Sequence, residues 1–212
     1  MKQKEISKSV LKRLPSYVAY LRTLSDSASP YISATALANA LGMGEVQVRK
    51  DLAMVSDGGR PKIGYLRESL IEDIEQFLGY DNTTDAVLIG AGKLGQALLG
   101  YNGFDAYGLN ILAAFDAKPT ADATEDGKPI YPMEQLESFC RANKVLMGII
   151  TVPTVYAQEV CDQLIACGIK AVWNFAPTHL EVPPHILVQN ENMATSLAVL
   201  SMHLQAQIKE NK

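Results

Sequence analysis

The chain has 212 residues, which suits one large domain or two small ones, and its hydrophobic content of 48% excludes a disordered chain. No apolar run approaches the roughly 18 residues of a membrane span. Residues 1–67 carry 11 Lys and Arg against 5 Asp and Glu, whereas residues 68–212 carry 8 against 18, so the net charge of −4 hides a basic first third suited to a polyanion.

Residues 1–80 are predicted to form a winged helix-turn-helix domain. Apolar residues recur at helical spacing in successive segments, one of which follows the N-cap candidate Ser33, while the next runs from about residue 45 to residue 54. A glycine turn at 42–44 separates these two helices, as in a helix-turn-helix. The glycine pair 58–59 and the apolar run after it predict the hairpin of a wing.

The helix after the glycine turn is predicted to be the recognition helix, because the face opposite its apolar residues offers Gln47, Arg49 and Lys50. Arg and Lys can donate to guanine O6 and N7, and Gln can pair with adenine. Phosphates or the minor groove are the expected targets of four further cations, which are Arg60, Lys62, Lys12 and Arg13. The alternative is a small helical domain whose charged face binds no DNA.

A polar break at 81–84 marks the start of a second domain, predicted over residues 81–192. There, short apolar runs typical of strands alternate with helical patterns. This alternation indicates βαβ units around a parallel sheet, so the fold class is α/β with a Rossmann domain. Residues 193–212 are predicted to form a separate terminal helix with one apolar stripe.

A glycine-rich loop predicts a dinucleotide site in this second domain. The segment Gly90-Ala91-Gly92-Lys93-Leu94-Gly95 directly follows a predicted strand and opens a helix, which is the context that a GxGxxG motif requires. Gly90 would permit the tight turn, Gly92 would let a pyrophosphate approach the backbone, and Gly95 would let helix and strand pack closely. The alternative is a glycine turn in an α/β domain that binds no ligand.

Asp116 ends the next predicted strand, 21 residues beyond Gly95. A carboxylate at this position accepts hydrogen bonds from ribose hydroxyls and repels a 2′-phosphate, so we expect NADH and NAD+ rather than their phosphorylated forms. Lys118 lies two residues further on and belongs to the same predicted site, although its positive charge would also suit a phosphate.

Short stretches in a constant order resemble the redox-sensing repressor family Rex over nearly the whole chain. They are residues 48–52, 64–65, 94–98, 114–116, 151–153, 168–170 and 174–177. The resemblance implies a homodimer that binds a palindromic operator in double-stranded DNA, with the terminal helix exchanged between subunits. It also implies that NADH closes the dimer and releases the operator, which derepresses fermentation and respiration genes, and that NAD+ competes or favours DNA binding.

The resemblance further implies the nicotinamide end of the site. Its predicted residues are Thr151, Val152, Pro153, Asn174, Phe175, Ala176, Pro177 and Tyr101, with Met193 supplied by the partner subunit. This set contains no carboxylate. Because burying an uncompensated cation is costly, we expect the neutral ring of NADH to bind more tightly than the cationic ring of NAD+.

A polar switch network is implied by the same resemblance, with Arg22 and Tyr101 at the family's positions. Two departures affect it. The family's usual acidic residue before the last helix is Asn192 here, so no charged pair with Arg22 can form, and Met193 replaces a bulky aromatic residue. The switch is therefore expected to differ from the family's pattern.

Two other functions stay open on the sequence alone, namely an NAD-dependent oxidoreductase and a Rossmann scaffold that binds no DNA. An oxidoreductase needs a substrate pocket and an acid or base beside the nicotinamide, yet little chain remains for a substrate domain. His179, His185 and His203 suit surface or packing roles better than catalysis. We therefore expect no enzyme and no catalytic residue.

The cysteines and the start of the chain bear on the compartment. Cys140, Cys161 and Cys167 are an odd, sparse set without CxxC spacing, so neither a disulfide framework nor a metal site is predicted. The basic first residues lack the apolar stretch and cleavage site of a signal peptide. We expect reduced thiols in a cytoplasmic protein.

Overall fold

The computed structural model describes residues 7–25, 27 and 29–210. The chain divides into two compact units. Unit 1 comprises Met1–Asn82 and Ala106–Gly108, and unit 2 comprises Thr83–Asp105 and Leu109–Lys212. Among the described residues, no helix combines the length and the apolar character needed to cross a membrane.

Unit 1 is built from helices and one small antiparallel sheet. In chain order its elements are α1 (Lys8–Thr23), β1 (Tyr31–Ile32), α2 (Ala34–Leu41), α3 (Glu45–Val55), β2 (Tyr65–Leu66) and α4 (Arg67–Leu78). The four helices and β1 share one apolar core, whose fully buried side chains include Leu14, Leu37, Leu52 and Ile74. The predicted helix-turn-helix followed by a wing is confirmed.

The turn between α2 and α3 follows from local interactions. The Ser33 side chain accepts a hydrogen bond from the Ala36 N–H at 3.0 Å, as an N-cap does. Gly42 ends α2 in the left-handed conformation, with a φ of 63°, which glycine adopts without steric cost. Val48 and Leu52 then bury one face of α3, so its opposite face is exposed to solvent.

The wing is a tight turn in which Arg60 and Gly64 form an antiparallel bridge. Gly64 has a φ of 95°, and a Cβ atom there would lie 2.2 Å from the carbonyl oxygen of Ile32. Only glycine therefore lets the chain return this close to β1. Arg60 and Lys62 are exposed on this turn.

Unit 2 is a six-stranded parallel sheet with flanking helices. Its elements are β3 (Thr84–Ile89), α5 (Lys93–Leu99), β4 (Leu109–Asp116), β5 (Ile130–Pro132), α6 (Leu136–Asn143), β6 (Met147–Ile150), α7 (Thr154–Ala166), β7 (Ala171–Asn174), β8 (Leu187–Asn190) and α8 (Met193–Glu210). The strand order is β5-β4-β3-β6-β7-β8, and every neighbouring pair is parallel. The chain order reverses between β3 and β6, where ligands bind in open α/β sheets. The predicted Rossmann fold is confirmed.

The central strand β3 is buried on both faces, which explains its unbroken apolar sequence. Val87 and Ile89 pack into one apolar cluster, and Ala86 and Leu88 pack into another. Successive side chains of a strand point to opposite faces, so these two clusters lie on the two sides of the sheet. The carboxyl end of β3 is thereby held rigidly where the glycine loop begins.

The terminal helix α8 exposes its apolar side chains. Its large apolar residues, with exposed fractions between 46% and 69%, are Met193, Leu197, Val199, Leu200, Met202, Leu204 and Ile208. No described residue of unit 2 covers them. Monomeric proteins rarely expose a large apolar patch, so a patch of this kind indicates a contact with another molecule.

Candidate functional site

A cleft of about 530 Å³ opens where the strand order of unit 2 reverses. Six of the predicted dinucleotide residues line it, which are Gly90, Gly92, Asp116, Thr151, Val152 and Pro153. They come from the loops that follow β3 and β6 and, for Asp116, from the carboxyl end of β4. The topology therefore brings together residues that lie up to 63 positions apart in the sequence.

The three motif glycines have the surroundings that the sequence predicts. Gly90 has a φ of 102°, and a Cβ atom there would lie 2.9 Å from Val152 Cγ1. A Cβ atom on Gly95 would lie 1.9 Å from the Gly90 carbonyl oxygen, so this glycine lets α5 approach the end of β3. Gly92 faces open space, with nothing within 4 Å of a Cβ position. The backbone at Gly92 is thus open to a ligand.

Thr151 ties the glycine loop to the end of β6. Its hydroxyl lies 3.0 Å from the Ile89 carbonyl oxygen and 2.7 Å from that of Gly90, to either of which it can donate, and its N–H donates to the Ile89 carbonyl oxygen at 2.9 Å. On the other side of the loop, the Gln96 side-chain amide donates to the Ala91 carbonyl oxygen at 2.8 Å. The loop is therefore pre-shaped by the protein.

Asp116 braces the same loop. Its Oδ2 accepts a hydrogen bond from the Ala91 N–H at 2.8 Å, and its Oδ1 accepts one from the Lys118 N–H at 2.8 Å. Each carboxylate oxygen has about two lone-pair sites, so both can accept another hydrogen bond. Asp116 can thus support the loop and accept ribose hydroxyls at the same time.

The helix after β6 supplies a wall that the sequence analysis missed. Tyr156, Glu159, Val160 and Gln163 line the cleft from α7. Their spacing of three, four and seven residues places them on one helical face, directly after the predicted residues 151–153, and this was the available signal. The cleft therefore contains two carboxylates, Asp116 and Glu159, although the predicted nicotinamide set has none.

The other predicted loop and aromatic residues do not line the cleft. Lys93 and Leu94 are exposed in the first turn of α5, and the Lys118 side chain is exposed. Tyr101 is 55% exposed and packs against Phe104, with ring centroids 4.9 Å apart.

Beyond β7 the predicted residues lie in a second region of unit 2. Phe175 packs against Trp173 at 4.8 Å between ring centroids. Ala176 and Pro177 line a separate cavity of about 280 Å³ together with Asn192. Contact of these residues with a nicotinamide ring stays a prediction.

Asn174 has a structural role that the sequence did not predict. Its side chain is fully buried, and its amide nitrogen lies within hydrogen-bond distance of the carbonyl oxygens of Ala176 and Thr178 and of Asn190 Oδ1. Its amide oxygen accepts from the Ala176 N–H at 2.9 Å. The amide therefore supports the turn after β7, and a contact of Asn174 with the cofactor stays a prediction.

The residues of the predicted switch network have partners of their own. Arg22 donates to Glu75 at 2.6 Å within unit 1. Asn192 Oδ1 accepts from the Thr195 N–H at 3.2 Å, so it caps the start of α8. Met193 is 69% exposed at the first position of that helix. The network itself stays a prediction.

Most of the cations predicted to contact DNA are exposed on unit 1. Lys50, Lys12, Arg60 and Lys62 are exposed. Arg49 is exposed as well and forms an ion pair with Glu45, one helical turn earlier in α3. Such an exposed pair is weak, so Arg49 is available to a stronger acceptor.

Arg13 is not one of these free cations. Its Nε and Nη2 donate to the two carboxylate oxygens of Asp51 at 2.8 and 2.9 Å, and Tyr17 also donates to Asp51, at 2.7 Å. The Asp51 side chain is 4% exposed and that of Arg13 is 20% exposed. Arg13 therefore has a structural role in holding Asp51, and its contact with a phosphate stays a prediction.

The cysteines are shielded rather than reactive. Burial raises the pKa of the Cys140 thiol to about 12 and that of Cys161 to about 11. Burial also raises the pKa of Cys167. Because the thiolate is the reactive form, these raised pKa values disfavour reaction near neutral pH.

Two protein families match successive parts of the chain. Residues 5–53 match a family described as a DNA-binding protein N-terminus, and residues 81–178 match one described as a CoA binding domain. The two matches fall on the helix-turn-helix and on the Rossmann sheet.

Relatives match along almost the full length. A "Redox-sensing transcriptional repressor Rex" from Treponema denticola is 40% identical over 95% of this chain and 96% of its own. One of the same name from Clostridium perfringens is 38% identical over 94% of each chain. The crystal structure of RSP in complex with β-NAD+ and operator DNA covers 99% of this chain at 33% identity with a TM-score of 0.87, and 97% of that chain is covered. The structure of RSP with β-NADH gives a TM-score of 0.84 at 33% identity over 99% and 100% of the two chains.

The glycine contacts predict a contrast between two matched substitutions. Gly95→Ala forces a Cβ atom against the Gly90 carbonyl oxygen and should destabilise unit 2 by about 1–3 kcal/mol or more. Gly92→Ala enters open space and should change the stability by less than about 0.5 kcal/mol. The single tryptophan, Trp173, lies in unit 2, so its fluorescence during urea unfolding reports this unit. Equal midpoints for the two variants would contradict the packing argument.

The buried phenol predicts a pH dependence for unit 1. Burial and the bond to Asp51 raise the pKa of Tyr17 from 10.0 to about 12. Since the folded pKa lies above the unfolded one, this stabilisation is fully present below pH 10 and is lost as the pH rises towards 12. Tyr17→Phe should flatten the stability profile between pH 9.5 and 11.5, as measured by urea unfolding followed by circular dichroism. Tyr31→Phe, which changes an exposed tyrosine of the same unit, should keep the parent profile.

Proposed function

Because the chain belongs to the Rex family of redox-sensing transcriptional repressors, we propose that it represses transcription by binding operator DNA with an affinity that NADH and NAD+ control. The observation that carries this conclusion is the full-length likeness to RSP, a protein crystallised with NAD+ and operator DNA and also with NADH. Relatives of this length and identity are named as repressors, so no catalytic step is assigned to the chain.

The cleft of unit 2 holds the dinucleotide. The open backbone at Gly92 receives the pyrophosphate, because no side chain blocks its approach. Asp116 accepts the ribose hydroxyls with the lone pairs that the loop leaves free and repels a 2′-phosphate. The bound cofactor takes part in no reaction here. Only its redox state matters, because NADH and NAD+ affect operator binding differently.

The nicotinamide ring lies towards Val152, Pro153 and Phe175. These apolar side chains favour the neutral ring of NADH over the cationic ring of NAD+. Asp116 and Glu159 line the same cleft, and Asp116 serves the ribose. The selectivity for NADH therefore depends on the distance between the ring and these carboxylates.

The second copy of the chain covers α8. The apolar side chains from Met193 to Ile208 are exposed in the single chain and form a stripe suited to a partner helix. In such a homodimer Met193 reaches the partner's nicotinamide end. Two recognition helices are then presented to successive half-sites about 34–36 Å apart, or a multiple of that.

The coupling between the sites acts through the dimer. A ligand changes a conformational equilibrium only through its different affinities for the two states. NADH closes the dimer and alters the spacing of the two α3 helices, so operator affinity falls without any change in a base contact. Changing the ratio of the two conformations from 1:99 to 99:1 needs a ligand that prefers one of them by about 10⁴-fold.

The protein acts on DNA in the cytoplasm.

The function predicts an operator affinity that follows the redox state of the cofactor. A palindromic operator selected from random duplexes should be bound without cofactor or with NAD+, and NADH should weaken that binding at least tenfold in gel shifts. Calorimetry should give a lower Kd for NADH than for NAD+. Affinity that stays flat across an NADH titration, while calorimetry shows that NADH binds, would falsify the sensor function.

The exposed guanidinium of Arg49 predicts loss of specific recognition on truncation. Arg49→Ala should weaken operator binding by about 1–3 kcal/mol and relax base preference at one position of each half-site. Lys12→Ala is the contrast, since loss of a phosphate contact should weaken all sequences alike and reduce the salt slope by about 1. If Arg49→Ala binds the operator with wild-type affinity, Arg49 does not contact a base.

A further inference from the structure

The cleft of unit 2 extends towards the β5 edge of the sheet. Its lining residues lie at the carboxyl ends of β3 and β4, just after β5 and β6, and on α7, and no described residue beyond Gln163 lines it. Met133 comes directly after Pro132, which pairs with Asp116 across β4 and β5. The cleft therefore continues past Asp116, on the side away from the loop that follows β7.

This part of the cleft suits a purine base. The ribose that a carboxylate such as Asp116 holds is the one that bears the 2′-phosphate in NADPH, and that ribose carries adenine. With its phosphates at Gly92 and its ribose at Asp116, a bound nucleotide directs the base towards Met133 and α7. Met133 and Val152 pack against the apolar cluster that contains Val160, and all three line the cleft. They offer apolar surface to the flat faces of the ring.

Two polar side chains flank Val160 on the face of α7 that lines the cleft. They are Glu159 and Gln163, and the Gln163 Nε2 lies 3.4 Å from Glu159 Oε1. A carboxylate only accepts hydrogen bonds, so the NH₂ group of Gln163 is the end that faces Glu159. Both side chains are exposed, and among the described residues Gln163 alone is a hydrogen-bond partner of Glu159. The carboxylate can therefore accept further hydrogen bonds from a ligand.

The pair places an acceptor beside a donor, which matches one purine edge and opposes another. Adenine offers a donor at its 6-amino group and an acceptor at N1. Hypoxanthine has the same shape but offers an acceptor at O6 and a donor at N1, so O6 would face the Glu159 carboxylate without a hydrogen bond. The Gln163 amide can present either its oxygen or its NH₂ group to N1. Discrimination between the two bases therefore depends on Glu159.

We propose that Glu159 accepts a hydrogen bond from the 6-amino group of adenine and thereby selects adenine dinucleotides over 6-oxopurine dinucleotides, while Gln163 donates to N1. The proposal rests on the proposed dinucleotide-binding function and adds to it the recognition of the base. It also assigns both carboxylates of the cleft, Asp116 and Glu159, to the adenosine half of the cofactor. Neither then neutralises the cationic ring of NAD+.

The first test measures the binding of NADH and of its hypoxanthine analogue to the full-length protein by calorimetry. The wild type should bind NADH about tenfold more tightly than the analogue. Glu159→Gln should remove most of this preference, because a glutamine can also donate to O6. Glu159→Ala should lower the affinity for NADH by about tenfold and should not weaken binding of the analogue.

Asp162→Asn is the matched control. It neutralises another exposed carboxylate of α7, which accepts from Gln158 and does not line the cleft, so it should keep the wild-type preference for NADH. A second pair of probes, ADP and IDP, lacks the nicotinamide and differs from each other only in the base. The wild type should prefer ADP, and Glu159→Gln should bind the two with similar affinity.

Three results would overturn the inference while leaving the proposed function intact. The wild type could bind NADH and its hypoxanthine analogue equally, or both Glu159 variants could keep the preference for adenine. Glu159→Gln could also weaken binding of NAD+ relative to NADH with the purine preference unchanged, which would place the carboxylate beside the nicotinamide ring instead. If the wild type binds neither NADH nor NAD+, the proposed function itself is rejected.

Discussion

The contact between Gly95 and the Gly90 carbonyl oxygen is the constraint on which the cleft depends. A Cβ atom on Gly95 would lie 1.9 Å from this oxygen, so α5 and the end of β3 approach each other backbone to backbone. Thr151 then closes the loop from β6 by reaching the carbonyl oxygens of Ile89 and Gly90. The ligand surface therefore forms where the strand order of the sheet reverses, directly beside the close-packed core.

The DNA-binding unit is organised by a different kind of interaction. Its recognition helix is held by a buried carboxylate, Asp51, which receives hydrogen bonds from Arg13 and Tyr17 of another helix. Replacing such a buried charge by apolar residues often costs little stability. The hydrogen bonds to this carboxylate instead fix the orientation of α3 against α1, because they have defined directions.

The sequence predicted the features that arise from neighbouring residues. Ser33 and Gly42 define the turn of the helix-turn-helix, and the glycine loop with Asp116 at its fixed distance defines the dinucleotide cleft. Long-range pairing was not visible. Arg13 and Asp51 are 38 residues apart, so nothing local distinguishes Arg13 from an exposed cation.

Two features of the site had other physical origins. Asn174 was predicted to contact the cofactor because of its place at the end of a strand, and its buried side-chain amide supports the turn beyond β7. The α7 wall, including Glu159, follows from helical spacing but lies outside the glycine-loop motif and the short stretches that resemble the family. The predicted nicotinamide residues, none of which is a carboxylate, therefore did not indicate the negative charge that lines the cleft.

The hydrogen bond that Asp116 accepts from the Ala91 N–H of the glycine loop has an evolutionary consequence. A mutation that exchanged this carboxylate for a small neutral residue would remove the barrier to a phosphorylated ribose, but it would also leave the Ala91 N–H without its acceptor. A lineage that changed its cofactor would need a second mutation to rebuild the brace. Preference for the unphosphorylated dinucleotide is thus buffered against single amino-acid changes, and ancestral intermediates would pass through a loosened loop.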